Sequence, residues 1–303
     1  MHQPVLLQEV LDIFDPKPGE VYIDATINGG GHAMAILERV GPTGKVVGID
    51  WDCGLLEKTK DKSEKIKAQN LILTCDNYAN LRDIAREFHL EQVSGILFDC
   101  GFSSYHVEES HRGFSFLRNE PLDMCYHDGD GEKSLTAKKV VNTYDEKELA
   151  DIFWDYGGER FSRRIAKKIV EERRRQPFKT TFELVRIIEE ALPSSYRYRH
   201  GRRQGEIHFA TRTFQALRIA VNGELENLER GLNAAVTLLK SGGKLAVISF
   251  HSLEDRIVKN FFKAETVAER LAVITVKPVR PQAGEIKENP RSRSAKLRVA
   301  QKL

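Results

Sequence analysis

"VYIDATINGGGHAMAI", residues 21–36, joins a β-branched run to three consecutive glycines and then to the start of a helical pattern. A strand, a glycine turn and a helix N-terminus in that order make a place where backbone approaches a ligand closely. Further short apolar runs follow at "KVVGID" (45–50), "NLILTC" (70–75) and "GILFDC" (95–100), separated by helical patterns. Strands alternating with helices at this spacing predict a parallel sheet with helices on both faces and ligands at the carboxyl ends of the strands. Three of the four runs carry an acid at or near that end: Asp24, Asp50 and Asp99.

The glycine loop fits neither common phosphate-binding pattern. A dinucleotide fingerprint running from Gly29 and Gly31 requires a third glycine at position 34, which is Met34, and no Gly-Lys-Ser/Thr follows to make a P-loop. An acid at the strand end, Asp24, also sits badly beside a pyrophosphate. A ligand with an ammonium group and a ribose fits better, and S-adenosylmethionine has both. Asp24 would orient the ammonium, and Asp50, at the end of the next strand, would accept the ribose hydroxyls. The competing reading is a plain tight turn with Asp50 as a helix cap.

The chain has 303 residues, 41% of them hydrophobic and 30% charged, which predicts a folded globular protein with a large core. No apolar run is long enough to span a bilayer, and "MHQPVLLQEVLDIF" has neither signal-peptide nor transit-peptide character, so a cytoplasmic address is expected. Cys53, Cys75, Cys100 and Cys125 form no CxxC pair, no metal-ligand spacing is present, and free thiols are expected. After Asp99 the strand pattern stops for about a hundred residues and helical periodicity takes over. "EKELADIFWDYGG", "RFSRRIAKKIVEERRRQ" and "TTFELVRIIEEAL" all read as helices, the second with Phe161, Ile165, Ile169 and Val170 on one stripe and the third capped at Thr180 or Thr181. Strand signals return at "GGKLAVISF" (242–250), "ERLAVITVKPV" (269–279) and "LRVA" (297–300). The predicted organisation is an α/β core in two parts, residues 1–104 and 207–303, interrupted by an all-helical substrate-recognition insertion over 105–206.

Asp99 faces the same edge as Asp24 and Asp50. Methyl transfer is an in-line displacement that needs orientation and a nucleophile with its lone pair freed, and no metal. The lone pair of an exocyclic amine on a base is conjugated into the ring, and a carboxylate accepting its N–H bonds favours attack. Asp99 is the candidate for that role, against a helix cap or a purely cofactor-facing acid. Methylation at C5 of cytosine would instead need an attacking thiolate, usually in a Pro-Cys dipeptide, and no proline here precedes a cysteine.

In order along nearly the whole chain, "PVLLQEVLDIF", "YIDATINGGGHAMAIL", "VVGIDWD", "GILFDCGFSS", "RGFSFLRNEPLDM", "YGGERFSRRIAKKIV", "SFHSLEDRIVKNFF" and "NPRSRSAKLRVA" resemble the MraW/RsmH family. The resemblance implies a Rossmann-like class I S-adenosylmethionine-dependent methyltransferase core with an inserted helical domain. It also implies N4-methylation of a cytidine in the decoding centre of 16S rRNA within the small ribosomal subunit, with a homodimer as one allowed assembly. By matching positions, the cofactor contacts would be Gly30, Gly31, His32, Asp50, Tyr78, Asp99 and His106, with Asp24 opening the same glycine motif. Departures from the family's usual pattern fall at Asn28, Trp51, Cys53, Cys100, Phe102, His106 and Cys125. They leave open a divergent paralogue acting on a different RNA amine; a ribosome-assembly binder without turnover is the alternative from another class.

Between Gly157 and Arg203, Lys and Arg number 14 against six Glu and no Asp, which points to a polyanionic partner. Arg163, Arg164, Lys167 and Lys168 lie on one predicted helix, where a solvated face is the competing reading. Arg197, Arg199, Arg202 and Arg203 interleave with Tyr196 and Tyr198 in "SSYRYRHGRRQG", a pattern suited to phosphate contact and base stacking. Arg212 in "HFATRTFQALR" is a further candidate for RNA contact, and His208 in the same stretch and His251 in "SFHSLEDR" are candidate catalytic residues lining the base pocket beside Asp99. A satisfied structural histidine is the competing reading for each.

Overall fold

The computed structural model describes residues 4–65, 68–101, 103–127, 134–194, 196 and 208–303. In chain order its elements are α1 (Leu7–Phe14), β1 (Val21–Asp24), α2 (Gly31–Val40), β2 (Lys45–Asp50), α3 (Cys53–Lys65), β3 (Leu71–Cys75), α4 (Leu81–Glu87) and β4 (Val93–Asp99). Then come α5 (Ser104–Glu108), α6 (Ala137–Thr143), α7 (Glu146–Asp155), α8 (Ser162–Arg173), α9 (Thr181–Ala191) and α10 (Thr211–Asn222). The chain closes with α11 (Glu224–Leu238), β5 (Leu239–Ser249), α12 (Ser252–Val267), β6 (Leu271–Val273), α13 (Ala283–Glu288) and β7 (Lys296–Lys302). They form two units, one of residues 1–103 with 225–303, the other of residues 104–224. Among the described residues, no helix is long and apolar enough to cross a membrane.

The first unit holds a seven-stranded sheet in the order β3-β2-β1-β4-β5-β7-β6, parallel except for β7, which runs against both of its neighbours. This is the mostly parallel, Rossmann-like α/β core that the sequence predicts. All seven residues of β4 are buried, as a central strand covered on both faces requires. Alternate β4 side chains feed two cores. Ile96 and Phe98 pack with Ile23, Val47 and Ile49 and with Leu232 of α11 and Phe262 of α12. Leu97 packs on the other side with Phe14 of α1, Ile36 of α2 and Leu297 of β7.

The second unit is helical, with a core drawn from every helix from α6 to α10, including Val140, Phe153, Ile165, Ile187 and Leu217. Local chemistry sets two of its helix starts: Asp145 with Glu148, and Thr180 with Glu183, form reciprocal capping boxes at α7 and α9. Ile165 and Ile169 of the expected stripe are fully buried. The chain leaves this unit at Glu224, later than the expected boundary at 206, because α10 packs into the helical core. Asn222 holds it there, its Nδ2 donating to the Met124 carbonyl at 2.8 Å while its Oδ1 accepts from the Tyr126 N–H at 2.9 Å.

The expectation of four free thiols is corrected. Cys53 and Cys75 form a disulfide, with their Cα atoms 5.3 Å apart, whereas Cys100 and Cys125 are not disulfide-bonded. Sheet pairing causes the meeting: β2 and β3 are parallel neighbours with Asp50 opposite Cys75, and Cys53 lies just beyond Asp50 at the start of α3. The bridge closes a loop with a sequence separation of 22, across the carboxyl ends of two strands. Reducing it, or replacing Cys53→Ser with Cys75→Ser, is expected to lower unfolding free energy by about 2 to 3 kcal/mol. Urea denaturation with and without a reductant measures this, and the double variant should lose the reductant's effect.

Candidate functional site

The parallel sheet delivers Asp24, Asp50 and Asp99 to one carboxyl edge, from β1, β2 and β4. All three sit in the first unit, as do Gly30, Gly31, His32, Tyr78 and His251. Asp24 is buried; its Oδ1 accepts from the Thr26 N–H at 3.3 Å, while its Oδ2 has no hydrogen-bond partner among the described residues. An unpartnered buried carboxylate oxygen is costly unless a donor or cation reaches it. Asp50 is tied on both oxygens: Oδ2 accepts from the Asn28 N–H at 3.0 Å and Oδ1 from the Asp52 N–H at 2.9 Å. Each of those oxygens keeps a lone pair for a further donor. Asp99 is also buried, with Oδ1 accepting from the Gly101 N–H at 3.1 Å and Oδ2 3.8 Å from His32 Nδ1.

Burial pushes all three carboxyls up. Asp24 rises to about 7, opposed by the N–H groups of Thr26 and Ala33. Asp50 rises to about 7 through burial and the nearby charges of Asp52 and Asp24, against the Asp52 and Asn28 N–H bonds. Asp99 rises to about 8 through burial and the charges of Asp24 and Glu254, opposed by the Gly101 N–H. Three acids held partly neutral on one edge are poised for a cationic ligand that favours their charged forms.

The glycine loop lies between them. Gly30 caps α2 at φ 81°, and a Cβ there would meet Thr59 Cγ2 at 2.9 Å. A Cβ on Gly31 would meet Pro4 Cγ at 2.9 Å. Thr59 also donates from Oγ1 to the Asn28 carbonyl at 3.1 Å, which fixes the loop from α3. Asn28 itself has φ 49°, in the left-handed region that asparagine tolerates better than most residues. The sequence reading passed over Thr26, Pro4 and Thr59. Thr26, whose Oγ1 accepts from the Asp99 N–H at 2.5 Å, lies inside the opening stretch and could have been noticed; Pro4 and Thr59 arrive only through tertiary packing.

Tyr78, in a short 3₁₀ turn after β3, meets Phe98 edge-on with ring centroids 5.5 Å apart. His251 follows β5 and caps α12: its Nδ1 accepts from the Glu254 N–H at 3.4 Å, and its Nε2 lies 3.0 Å from Glu254 Oε1. Glu254 Oε2 accepts from the N–H groups of Phe250 and His251, whereas Asp255 pairs with two bases on β7, Lys296 at 2.9 Å and Arg298 at 2.7 Å.

The other candidates belong to the helical unit. His106 is buried against Phe114 and Tyr126, at centroid distances of 5.3 and 4.9 Å. His208 stacks flat on Phe116, 4.6 Å between centroids and 7° between planes, and burial holds its imidazole below the ordinary range. Arg163, Arg164 and Lys167 are exposed on α8, whereas Lys168 pairs with Glu190 at 3.3 Å. Arg212 donates to the Gly158 carbonyl at 3.2 Å. Arg197, Arg199, Arg202 and Arg203 lie outside the described residues.

The model of the MraW methylase family matches residues 1–303, the whole chain. The chain belongs to the MraW methylase family. Curated relatives named ribosomal RNA small subunit methyltransferase H are similar over their full length. That of Dictyoglomus thermophilum is 44% identical, covering 100% of this chain and 97% of its own, and that of Thermotoga neapolitana is 47% identical, covering 99% and 95%. S-adenosylmethionine is the cofactor of this methylase family. The donor set fits it: the orphaned Asp24 Oδ2 suits the ammonium, Asp50 keeps acceptors for a ribose, and the glycines leave room for close backbone approach.

Two outcomes follow from this geometry. Each raised carboxyl holds its proton to a higher pH in the fold than in the unfolded chain, so the folded state binds more protons between about pH 4 and about pH 8. Stability of the cofactor-free protein is therefore expected to fall as pH rises through that window, with a shallower fall in Asp50→Asn, as read by urea denaturation at stepped pH. Gly30→Ala forces a side chain into a left-handed position against Thr59; it should cost about 1 to 2 kcal/mol of stability and weaken cofactor binding, measured by calorimetry.

Proposed function

We propose that this chain transfers a methyl group from S-adenosylmethionine to N4 of a cytidine in the decoding centre of 16S rRNA, within the small ribosomal subunit. The observation that carries the reading is the convergence of Asp24, Asp50 and Asp99 on one edge of the sheet beside a glycine loop without phosphate-binding character. The relatives' names supply the class of substrate.

The bound cofactor supplies an electrophilic methyl group on a sulfonium, to be taken in line by the attacking amine. Asp24 holds the ammonium and Asp50 the ribose. Asp99, placed by the Gly101 N–H, accepts an N–H of the cytosine amine and so frees its lone pair from the ring. His208, held neutral and stacked on Phe116, offers an aromatic surface of the kind on which unpaired RNA bases stack. His251 acts as a helix cap that places Glu254, whose charge bears on Asp99. Arg163, Arg164 and Lys167 on α8, together with Arg212, contact RNA phosphates and orient the substrate.

The test incubates the protein with methyl-labelled S-adenosylmethionine and small subunits lacking native decoding-centre methylation, then digests the RNA to nucleosides. Label is expected in N4-methylcytidine, with Asp99→Ala reducing the rate at least about a hundredfold. Label in another nucleoside would replace the acceptor, and no label despite cofactor binding would favour a binder without turnover. Replacing Arg163, Arg164 and Lys167 together by alanine should weaken RNA binding for all sequences alike. It should also make the dependence of log affinity on log salt shallower by about 2, as read in filter-binding titrations.

A further inference from the structure

His32 begins as one more residue of the glycine motif, but its side chain is placed for a different task. It lies in the first turn of α2, buried, with Nε2 3.0 Å from the Val5 carbonyl oxygen and Nδ1 3.8 Å from Asp99 Oδ2. A carbonyl oxygen only accepts, so Nε2 must carry a hydrogen and donate to it. In the neutral ring that leaves Nδ1 without a proton, turned toward the carboxylate proposed to hold the acceptor amine.

We propose that His32 is a positioning residue and proton acceptor that works through Asp99, relieving it of the proton released by the methylated amine. This rests on the reading above, in which Asp99 accepts an amine N–H. When the N–C bond forms and the methyl–sulfur bond breaks, its electron pair stays on sulfur and the amine nitrogen carries a surplus proton. That proton passes to Asp99 and then to His32 Nδ1, leaving a carboxylate and an imidazolium whose Nε2–H still donates to Val5. That proton departs to solvent when product leaves, which restores the Asp99 carboxylate beside a neutral imidazole. A buried carboxyl that kept the proton would have to lose it unaided before the next turnover.

The surroundings fit this role. Asp99 Oδ1 is taken by the Gly101 N–H, so Oδ2 is the oxygen left to face the ring. The other charged groups acting on Asp99 are Asp24 on β1 and Glu254 on α12, both acidic, and both favour a cation on His32. The Val5 carbonyl comes from the segment before α1, where Leu6 adopts φ 55° and its N–H donates to Glu285 of α13 at 2.8 Å. That bond anchors the strip of backbone which selects the tautomer.

Two measurements decide the proposal. The first follows the nitrogen-15 resonances of His32 against pH in the intact protein, with and without Asp99→Asn. The pair should titrate as one coupled system, with Nε2 protonated and Nδ1 bare at high pH, and Asp99→Asn should move the His32 titration. A protonated Nδ1 in the neutral ring, or a titration indifferent to Asp99→Asn, overturns the proposal whether or not the RNA substrate is correct.

The second compares single-turnover methyl transfer across pH for wild type, His32→Gln and His32→Asn. At saturating cofactor the plateau rate should fall about tenfold to a hundredfold, by more than cofactor affinity does. The acid limb should move to lower pH, because a pair sharing one proton binds it more tightly than Asp99 alone. Rate and affinity lost in parallel would make His32 a cofactor contact only, and an unchanged acid limb would remove it from proton transfer. Absence of N4-methylcytidine with wild type overturns the assigned reaction instead, and the resonance titration then decides for or against the pair.

Discussion

The Asp50 carboxylate is the joint on which the site is assembled. Its two oxygens accept backbone N–H groups from opposite directions, Asn28 in the glycine loop and Asp52 at the head of α3. One side chain thereby sets the distance between the loop after β1 and the helix after β2. Thr59 adds a second tie from the same helix to the same loop through the Asn28 carbonyl. With those bonds made, Asn28 is held at positive φ and Gly30 can cap α2, so the first turn of that helix, His32 included, points along the sheet edge toward Asp99.

Holding three carboxylates on one dry edge costs stability, and the fold pays for it with the two cores that flank the sheet. Ile96, Phe98 and Val247 on one face and Leu97, Ala246 and Ile248 on the other are almost entirely removed from water. That burial supplies the dominant favourable term of folding. Folds often store unsatisfied polar groups where chemistry takes place, and Asp24 Oδ2, buried and without a hydrogen-bond partner among the described residues, is such a group on the edge where chemistry is proposed. The disulfide between Cys53 and Cys75 spans the same edge and ties the ends of β2 and β3 beside Asp50.

The helical unit follows a different logic. Its capping boxes and its buried stripe of Ile165 and Ile169 are local devices that specify helices residue by residue. Its aromatic contacts are long-range: Phe116 meets His208, and His106 meets Tyr126 and Phe114. Arg163, Arg164 and Lys167 are left exposed on α8, while Lys168 and Arg186 are drawn into pairs with Glu190.

The sequence by itself determined the parallel core, the helical character of the insertion and the three acids at strand ends. Those features depend on periodicity and on residues a few positions apart: alternation of strand and helix, the run of glycines, Thr180 three residues before Glu183. Tertiary structure alone decided the rest. Cys53 and Cys75 are bridged because β2 pairs with β3. The insertion continues to Glu224 because Asn222 locks α10 onto the loop at Met124 and Tyr126. Val5, His32 and Asp99 meet because three separate segments converge on one sheet edge. No local pattern encodes such meetings; they exist only once the sheet order and the two cores have brought distant backbone within hydrogen-bond reach.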